Sequence, residues 1–275
     1  GSRCFSLGTW GCNLHCLNCQ NWTISCTEPE EGGRSQFVPP EVAIDLTRHH
    51  GCTGISWTYN EPTIWFEYTY DCARLARQQG LYTVYVTNGF ITPEALDEIG
   101  PYLDAFRVDI KGFSDALYRG LARVGRWREV LEAAKRAKEK WDMHVEVVTN
   151  LIPTMNDDEA QLRGIARWVR ENLGELTPWH VTRFYPQYRL AHLPPTPVES
   201  LEKALRIGGE EGLRFVFAGN VPGHGSESSR CYSCGQVLIQ RHGYQTQVRG
   251  LDGSRCARCG AEAGVRTSTA RKARA

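Results

Sequence analysis

Three cysteines of one short run, Cys12, Cys16 and Cys19, are separated by three and two intervening residues. Thiolates so spaced can wrap an iron–sulfur cubane, yet a closed [4Fe-4S] site uses four ligands and this run supplies three. One iron is left open, which is what a catalytic rather than a purely structural metal site needs. Such an iron can take the amino and carboxylate groups of S-adenosylmethionine (SAM). An electron from the cluster then breaks the adjacent sulfonium bond and makes a 5′-deoxyadenosyl radical. A zinc knuckle, or an electron-transfer cluster short of its fourth ligand, is the competing reading of the same residues.

A second set, Cys231-x2-Cys234-Gly235 and Cys256-x2-Cys259-Gly260, forms two knuckles 21 residues apart, a spacing suited to tetrahedral Zn2+ in a zinc ribbon. The glycines let backbone amides turn toward the sulfurs, and Val237–His242 with Tyr244–Val248 can supply the hairpin. Apolar residues are too few here for an independent core, so the metal must supply most of the folding energy. Rubredoxin-like iron and an auxiliary [4Fe-4S] cluster share the spacing. Arg230, Arg241, Arg249, Arg255 and Arg258 give local positive charge, which reads as a solvated face before it reads as a nucleic-acid surface. Of the eleven cysteines, the scattered Cys4, Cys26, Cys52 and Cys72 read as inert thiols.

The elements that must position these residues follow from periodicity. Cys4–Leu7, Thr53–Tyr59, Leu81–Thr87, Ala105–Ile110, His144–Asn150, His180–Phe184 and Leu213–Phe217 read as strands. Pro39–Arg48, Ile64–Gln79, Pro93–Ile99, Arg126–Lys140, Asp157–Glu171 and Val198–Glu210 read as helices, with Gly80 ending one of them. Strand–helix alternation implies parallel pairing through right-handed crossovers. The expected fold is α/β, a partial (β/α)6 TIM-like barrel carrying a small C-terminal zinc-ribbon-like module. The expected divisions are a core over 1–218, a linker or flap over 219–230, the Cys4 module over 231–266 and a disordered basic tail over 267–275. The chain opens without Met on a strand-like run, which suggests that an N-terminal piece is missing or replaced.

Cys-x3-Cys-x2-Cys after a first strand, followed by a βα series, resembles the radical SAM superfamily over roughly residues 4 to 217. Cys19-Gln20-Asn21-Trp22 and Tyr59-Asn60-Glu61-Pro62 narrow the likeness to the radical SAM member of the AmmeMemoRadiSam system, a relative of the pyruvate formate-lyase activating enzymes. That resemblance implies an oxidoreductase-type radical enzyme with a [4Fe-4S] cluster and SAM, an external electron donor such as flavodoxin or ferredoxin, and chemistry at the C-terminal ends of the strands.

Polar residues at those strand ends are the candidate cofactor contacts. The superfamily usually has Gly-Gly-Glu after the second strand; here Asn60 and Glu61 stand instead, able to accept from the SAM ammonium or, alternatively, to open a helix before Pro62. Thr87-Asn88-Gly89 matches the activating-enzyme branch, although Asn-Gly alone is a turn signal. Asp109-Ile110-Lys111 resembles its Asp-x-Lys, which makes Lys111 a partner for the SAM carboxylate or ribose with Asp109 nearby, or else a solvated pair. Asn150 is a pocket candidate, while Asn156 and Asp157 read as caps of the next helix. His180 resembles a histidine near the adenosyl group, with a satisfied core histidine as the alternative. Arg183 and Tyr185 point toward substrate if they occupy the barrel mouth, and Arg183 is otherwise an ion-pair partner.

Composition fits this reading without extending it. Forty-one percent hydrophobic and 23% charged residues describe a folded chain, and a net charge of +1 gives no global field for nucleic acid or membrane. No run reaches the ~20 apolar residues of a membrane span and no secretory signal is visible, so a cytoplasmic location is the default. The substrate is open between a glycyl-radical-type protein, RNA, a small molecule and a companion protein of the Memo type. A non-enzymatic iron–sulfur carrier or metal-binding interaction protein is the rival function.

Overall fold

The computed structural model describes residues 2–28, 36–243 and 245–266. The tail from Thr267 onward, expected to be disordered, lies outside the described residues. Seven strands form one sheet in chain order: β1 (Cys4–Leu7), β2 (Gly54–Trp57), β3 (Tyr82–Thr87), β4 (Ala105–Asp109), β5 (His144–Leu151), β6 (Trp179–Arg183) and β7 (Val216–Gly219). Every neighbouring pair is parallel. These are the seven runs read from the sequence, one more than a (β/α)6 label counts.

The connecting helices are α1 (Trp22–Ser25), α2 (Pro40–His49), α3 (Phe66–Gln78), α4 (Pro93–Ile99), α5 (Asp115–Leu121), α6 (Arg128–Glu139), α7 (Glu159–Leu173) and α8 (Val198–Glu210). Side chains alternate across the sheet. One face sends Trp57, Tyr85, Phe106, Val147, Trp179 and Val181 into the core shared with the helices. The opposite, inner face carries Val84, Val86, Arg107, Glu146, His180 and Phe217, which line a cavity.

Local signals set the helix starts. Thr92, Ser114 and Asp158 cap α4, α5 and α7 by accepting from Ala95 N, Leu117 N and Gln161 N, each contributing about 1 kcal/mol. The cap of α7 is thus Asp158, not Asn156 or Asp157. Asn156 is fully buried and its amide bridges Ile152 N, Lys111 O and Asn150 O, while Asp157 accepts from Thr154 N. The helix expected from Ile64 begins instead as a 3-10 turn over Pro62–Trp65.

Beyond β7 the chain builds the cysteine module: β8 (Ser229–Arg230), β9 (Val237–His242) and β10 (Gln245–Val248) in one antiparallel sheet, then the pair β11 (Leu251–Asp252) and β12 (Arg255–Cys256). β8 begins inside the stretch read as a linker. The module has little core of its own, because Cys231, Leu238, Ile239, Cys256 and Ala263 pack on Phe215, Phe217 and Leu176 of the barrel. Gly264, at φ +63°, is required by this docking, since a Cβ there would stand 2.7 Å from the Leu176 carbonyl oxygen. Arg266 reaches Asp142 at 2.7 Å on the barrel side.

Candidate active site and metal centre

The loop after β1 is held by backbone and by one buried anchor. Gly11, at φ +89°, donates to Ile24 O; His15 N and Leu17 N donate to Ala122 O and Leu121 O at the end of α5. Leu14 is buried beneath the loop. The Asn60 amide accepts from Thr9 N and donates to Gly11 O, so it shapes the cysteine loop directly. Cys12, Cys16 and Cys19 thereby line one cavity of about 320 Å³ at the C-terminal ends of the strands. Burial pushes the Cys12 thiol up to about 12 and raises Cys16 as well, so taking up metal there must displace protons.

Of the residues singled out at the strand ends, the fold brings Asn60, Thr87, Asn88, Asp109, Lys111 and Asn150 to this cavity with the three cysteines. Asn88 Nδ2 lies 3.7 Å from Cys12 Sγ and 2.8 Å from Asn13 Oδ1. Arg107 and Asp109 of β4 and Lys111 just beyond its end follow one another at a period of two. Asp109 receives Arg107 at 2.8 Å and Lys111 at 3.3 Å. Burial alone would raise the Asp109 carboxyl, but these two cations hold it below its ordinary value. Burial would lower the Lys111 ammonium; Cys16 and Asp109 outweigh that and keep it charged. A fixed cation thus faces the cysteine loop.

Two candidates are placed elsewhere. Glu61 is fully buried behind the cavity, where its carboxylate accepts from Thr63 N, Thr63 Oγ1, Thr87 Oγ1 and Asn88 N. Burial pushes this carboxyl up and the four donors pull it back, with burial the larger effect. Its lone pairs are spent on the turn that carries Asn88. A Glu61→Gln protein should lose about 2 kcal/mol, because one amide hydrogen would face a buried donor; an unchanged melting temperature at neutral pH contradicts this role.

His180 lies lower in the barrel, with Nε2 3.1 Å from Glu146 Oε2, while His144 Nε2 is 3.0 Å from Glu146 Oε1. Burial opposes the Glu146 charge, yet the two histidines hold its carboxyl well below the ordinary range. A depressed folded value stabilises the fold above the ordinary carboxylate pKa and loses that effect as pH falls through the folded value. The melting-temperature gap between wild type and Glu146→Gln should therefore shrink as pH drops below about 4. A gap that stays constant there contradicts the clamp.

Sequence reading missed Asn18, Thr58, Tyr59, Arg107, Thr182 and Asn220, which also line the cavity. Asn18 Nδ2 donates to Asn150 Oδ1, while its own Oδ1 is buried without a hydrogen-bond partner. Tyr59 has φ +72°, a left-handed conformation rare for an aromatic residue. Arg183 does not enter the site: its Nε donates to Thr196 O and its guanidinium stacks on Tyr185.

The second cysteine set converges as two similar knuckles. Cys231 Sγ to Cys259 Sγ is 3.5 Å and Cys234 Sγ to Cys256 Sγ is 3.7 Å, and all four sulfurs lie within 4.8 Å of one another. Four thiolates at roughly 2.3 Å from one tetrahedral ion would be separated by about 3.8 Å. Gly235 N and Gly260 N donate back to Cys231 O and Cys256 O, both glycines at φ +73°. The backbone N–H of Ala261 lowers the Cys259 thiol to about 7.

A parallel α/β barrel with three cysteines and fixed charge at the C-terminal strand ends defines a class, and the comparisons agree with it. Residues 8–163 match the family model of the Radical SAM superfamily, and the chain belongs to that superfamily. It is 42% identical over 257 residues to an uncharacterized protein of Methanocaldococcus jannaschii, covering 93% of this chain and 75% of that one. It is 25% identical to the pyruvate formate-lyase 1-activating enzyme of Escherichia coli, over 75% of this chain and 89% of that one. The fold is similar to Streptococcus suis SuiB bound to S-adenosylmethionine, with a TM-score of 0.60 at 15% identity, over 79% of this chain and 51% of that one. The protein is a radical SAM enzyme with activating-enzyme homologues. Among the described residues, no helix is long and apolar enough to cross a membrane.

Proposed function

We propose that Cys12, Cys16 and Cys19 hold a [4Fe-4S] cluster whose open iron binds SAM. When bound, the pair supplies reductive sulfonium cleavage to a 5′-deoxyadenosyl radical that abstracts hydrogen from substrate. The observation carrying this reading is the convergence of exactly three cysteines with the Asp109-held Lys111 ammonium in one strand-end cavity. The cavity fits a zwitterionic ligand: Lys111 offers a cation to a carboxylate, and the orphaned Asn18 Oδ1 offers an acceptor to an ammonium or hydroxyl. Asn88, Asn150 and Thr87 would orient the ligand, and Asn60 would keep the cysteine loop in register. Glu61 acts through the Thr87-Asn88 turn, and His180 acts from below through Glu146.

The four-cysteine module takes Zn2+ in this reading, and the chain divides into a core over 1–218, a connector from 219 whose last residues, Ser229–Arg230, pair with β9, and the cysteine module through 266. A cytoplasmic protein electron donor such as flavodoxin or ferredoxin would reduce the cluster. Resemblance to the AmmeMemoRadiSam member leaves a glycyl-radical-type protein and a Memo-type companion as substrate or partner classes. The test is anaerobic reconstitution, reduction and incubation with SAM. 5′-Deoxyadenosine should form, and its absence from cluster-loaded protein would reduce the chain to an electron carrier.

A further inference from the structure

Below the cluster cavity lies a second, larger one of about 1760 Å³ inside the barrel. The two are adjoining, since Val86 and Arg107 line both. Its wall is composite. The barrel contributes Arg107, Glu146, His180 and Phe217, and the cysteine module contributes Ile239 and Arg241. No residue of the radical SAM match at 8–163 supplies that second wall.

The charges in this chamber do not cancel by contact. Its carboxylates each have a partner: Asp104 pairs with Arg77, Asp142 with Arg266 and Glu262 with Arg255, while Glu146 lies within hydrogen-bond distance of His144 and His180. Arg107 is paired with Asp109. Among the described residues, Lys138 and Arg241 are the lining Lys and Arg side chains without an ion pair. Lys138 donates to Thr177 Oγ1. Arg241 donates from Nη1 alone, to Glu227 O and Ser229 Oγ, and its guanidinium lies over the Phe217 ring at 5.7 Å. Burial pushes both cations down from their ordinary values. Glu146 is the carboxylate whose charge reaches Arg241, without an ion-pair contact, and a guanidinium that is partly desolvated, set over an aromatic ring and without a carboxylate in contact is a recognition group for planar anions.

We infer that the chamber binds a small molecule bearing a carboxylate or phosphate group, and that Arg241 of the cysteine module is the residue that recognises it. This deepens the proposed function by naming its substrate class, and it rests on that reading only for the chemistry that follows binding. The module thereby gains a role: a metal on Cys231, Cys234, Cys256 and Cys259 would fix the fold around β9, and β9 sets Arg241 over Phe217 at the end of the barrel opposite the cysteine loop. A substrate so anchored would have its remaining length directed past Arg107 toward the strand-end cavity.

Binding is measured on the cluster-loaded, metal-loaded protein by saturation-transfer NMR with succinate, inorganic phosphate and neutral succinamide as probes. At least one anion should bind saturably and succinamide should not. Affinity for that anion should fall roughly tenfold in Arg241→Gln, and Arg241→Lys, which keeps the charge but not the planar fork, should restore only part of it. Metal content and circular dichroism confirm that each variant is folded. Equal anion affinity in wild type and Arg241→Gln, or no saturable anion binding by wild type, overturns the inference. SAM cleavage by the unaltered protein without added substrate separates the two readings. Its absence, with saturable anion binding still present, fails the radical reading and leaves the anion result standing.

Discussion

A Cys16→Ala protein, reconstituted and reduced beside the unaltered chain, should form 5′-deoxyadenosine at reagent background only, a loss of roughly two orders of magnitude or more. The expectation is strong because little else depends on this side chain. The loop is held by Leu14, by Asn60 and by backbone bonds to the end of α5, so alanine removes a ligand without removing the loop. Three anchors are the minimum for a cubane with one open iron, and two leave it labile. Cys26 provides the control: its sulfur neighbours Cys19 and Cys16, yet it lies outside the spaced triplet. Cys26→Ala should retain product formation. If it abolishes product while Cys16→Ala does not, the ligand assignment is wrong.

The second large effect concerns the module. Cys256→Ser should release the bound metal and erase hydrogen-exchange protection across β9 and β10. Structural zinc sites contribute on the order of 10–16 kcal/mol, more than a small hairpin can replace from packing. The loss should spread to the barrel, since Phe215 and Phe217 form their cluster with Cys231, Leu238, Ile239 and Cys256. The barrel's melting temperature should fall, while the far strands β2 to β4 keep their protection. A metal-free variant with a protected hairpin contradicts the account. Elemental analysis of the unaltered protein distinguishes zinc from iron in the same samples.

These effects were largely foreseeable where chemistry is encoded locally. The cysteine spacings and the β-branched runs announce themselves within a dozen residues, and the helices over Pro93–Ile99 and Val198–Glu210 have the bounds expected of them. What remained hidden depends on partners distant in sequence. Glu61 looks like a free acid beside Pro62; its burial follows from Thr87 and Asn88, 26 and 27 residues away. The period of β6 puts His180 on one face, but periodicity does not specify height in the barrel, and its register against Val148 and Phe217 sets it below the cluster cavity. Three polar residues in succession, Asn156, Asp157 and Asp158, all suit a cap, and the tertiary demand of Lys111 O and Asn150 O removes the first of them. The helix α5 escaped notice because its seven residues include Gly120 and span fewer than two turns of pattern. Arg241 carried no signal beyond local charge, because its role follows from where the module docks.

The radical chemistry proposed for this chain requires an open coordination position on a cluster held by Cys12, Cys16 and Cys19. The most direct test is electron–nuclear double resonance on the reduced, cluster-loaded protein mixed with SAM labelled at its amino nitrogen and carboxylate. Hyperfine coupling from both labels to the cluster is the predicted result. A reduced cluster whose spectrum is unchanged by SAM, with all four irons held by protein ligands, would contradict it.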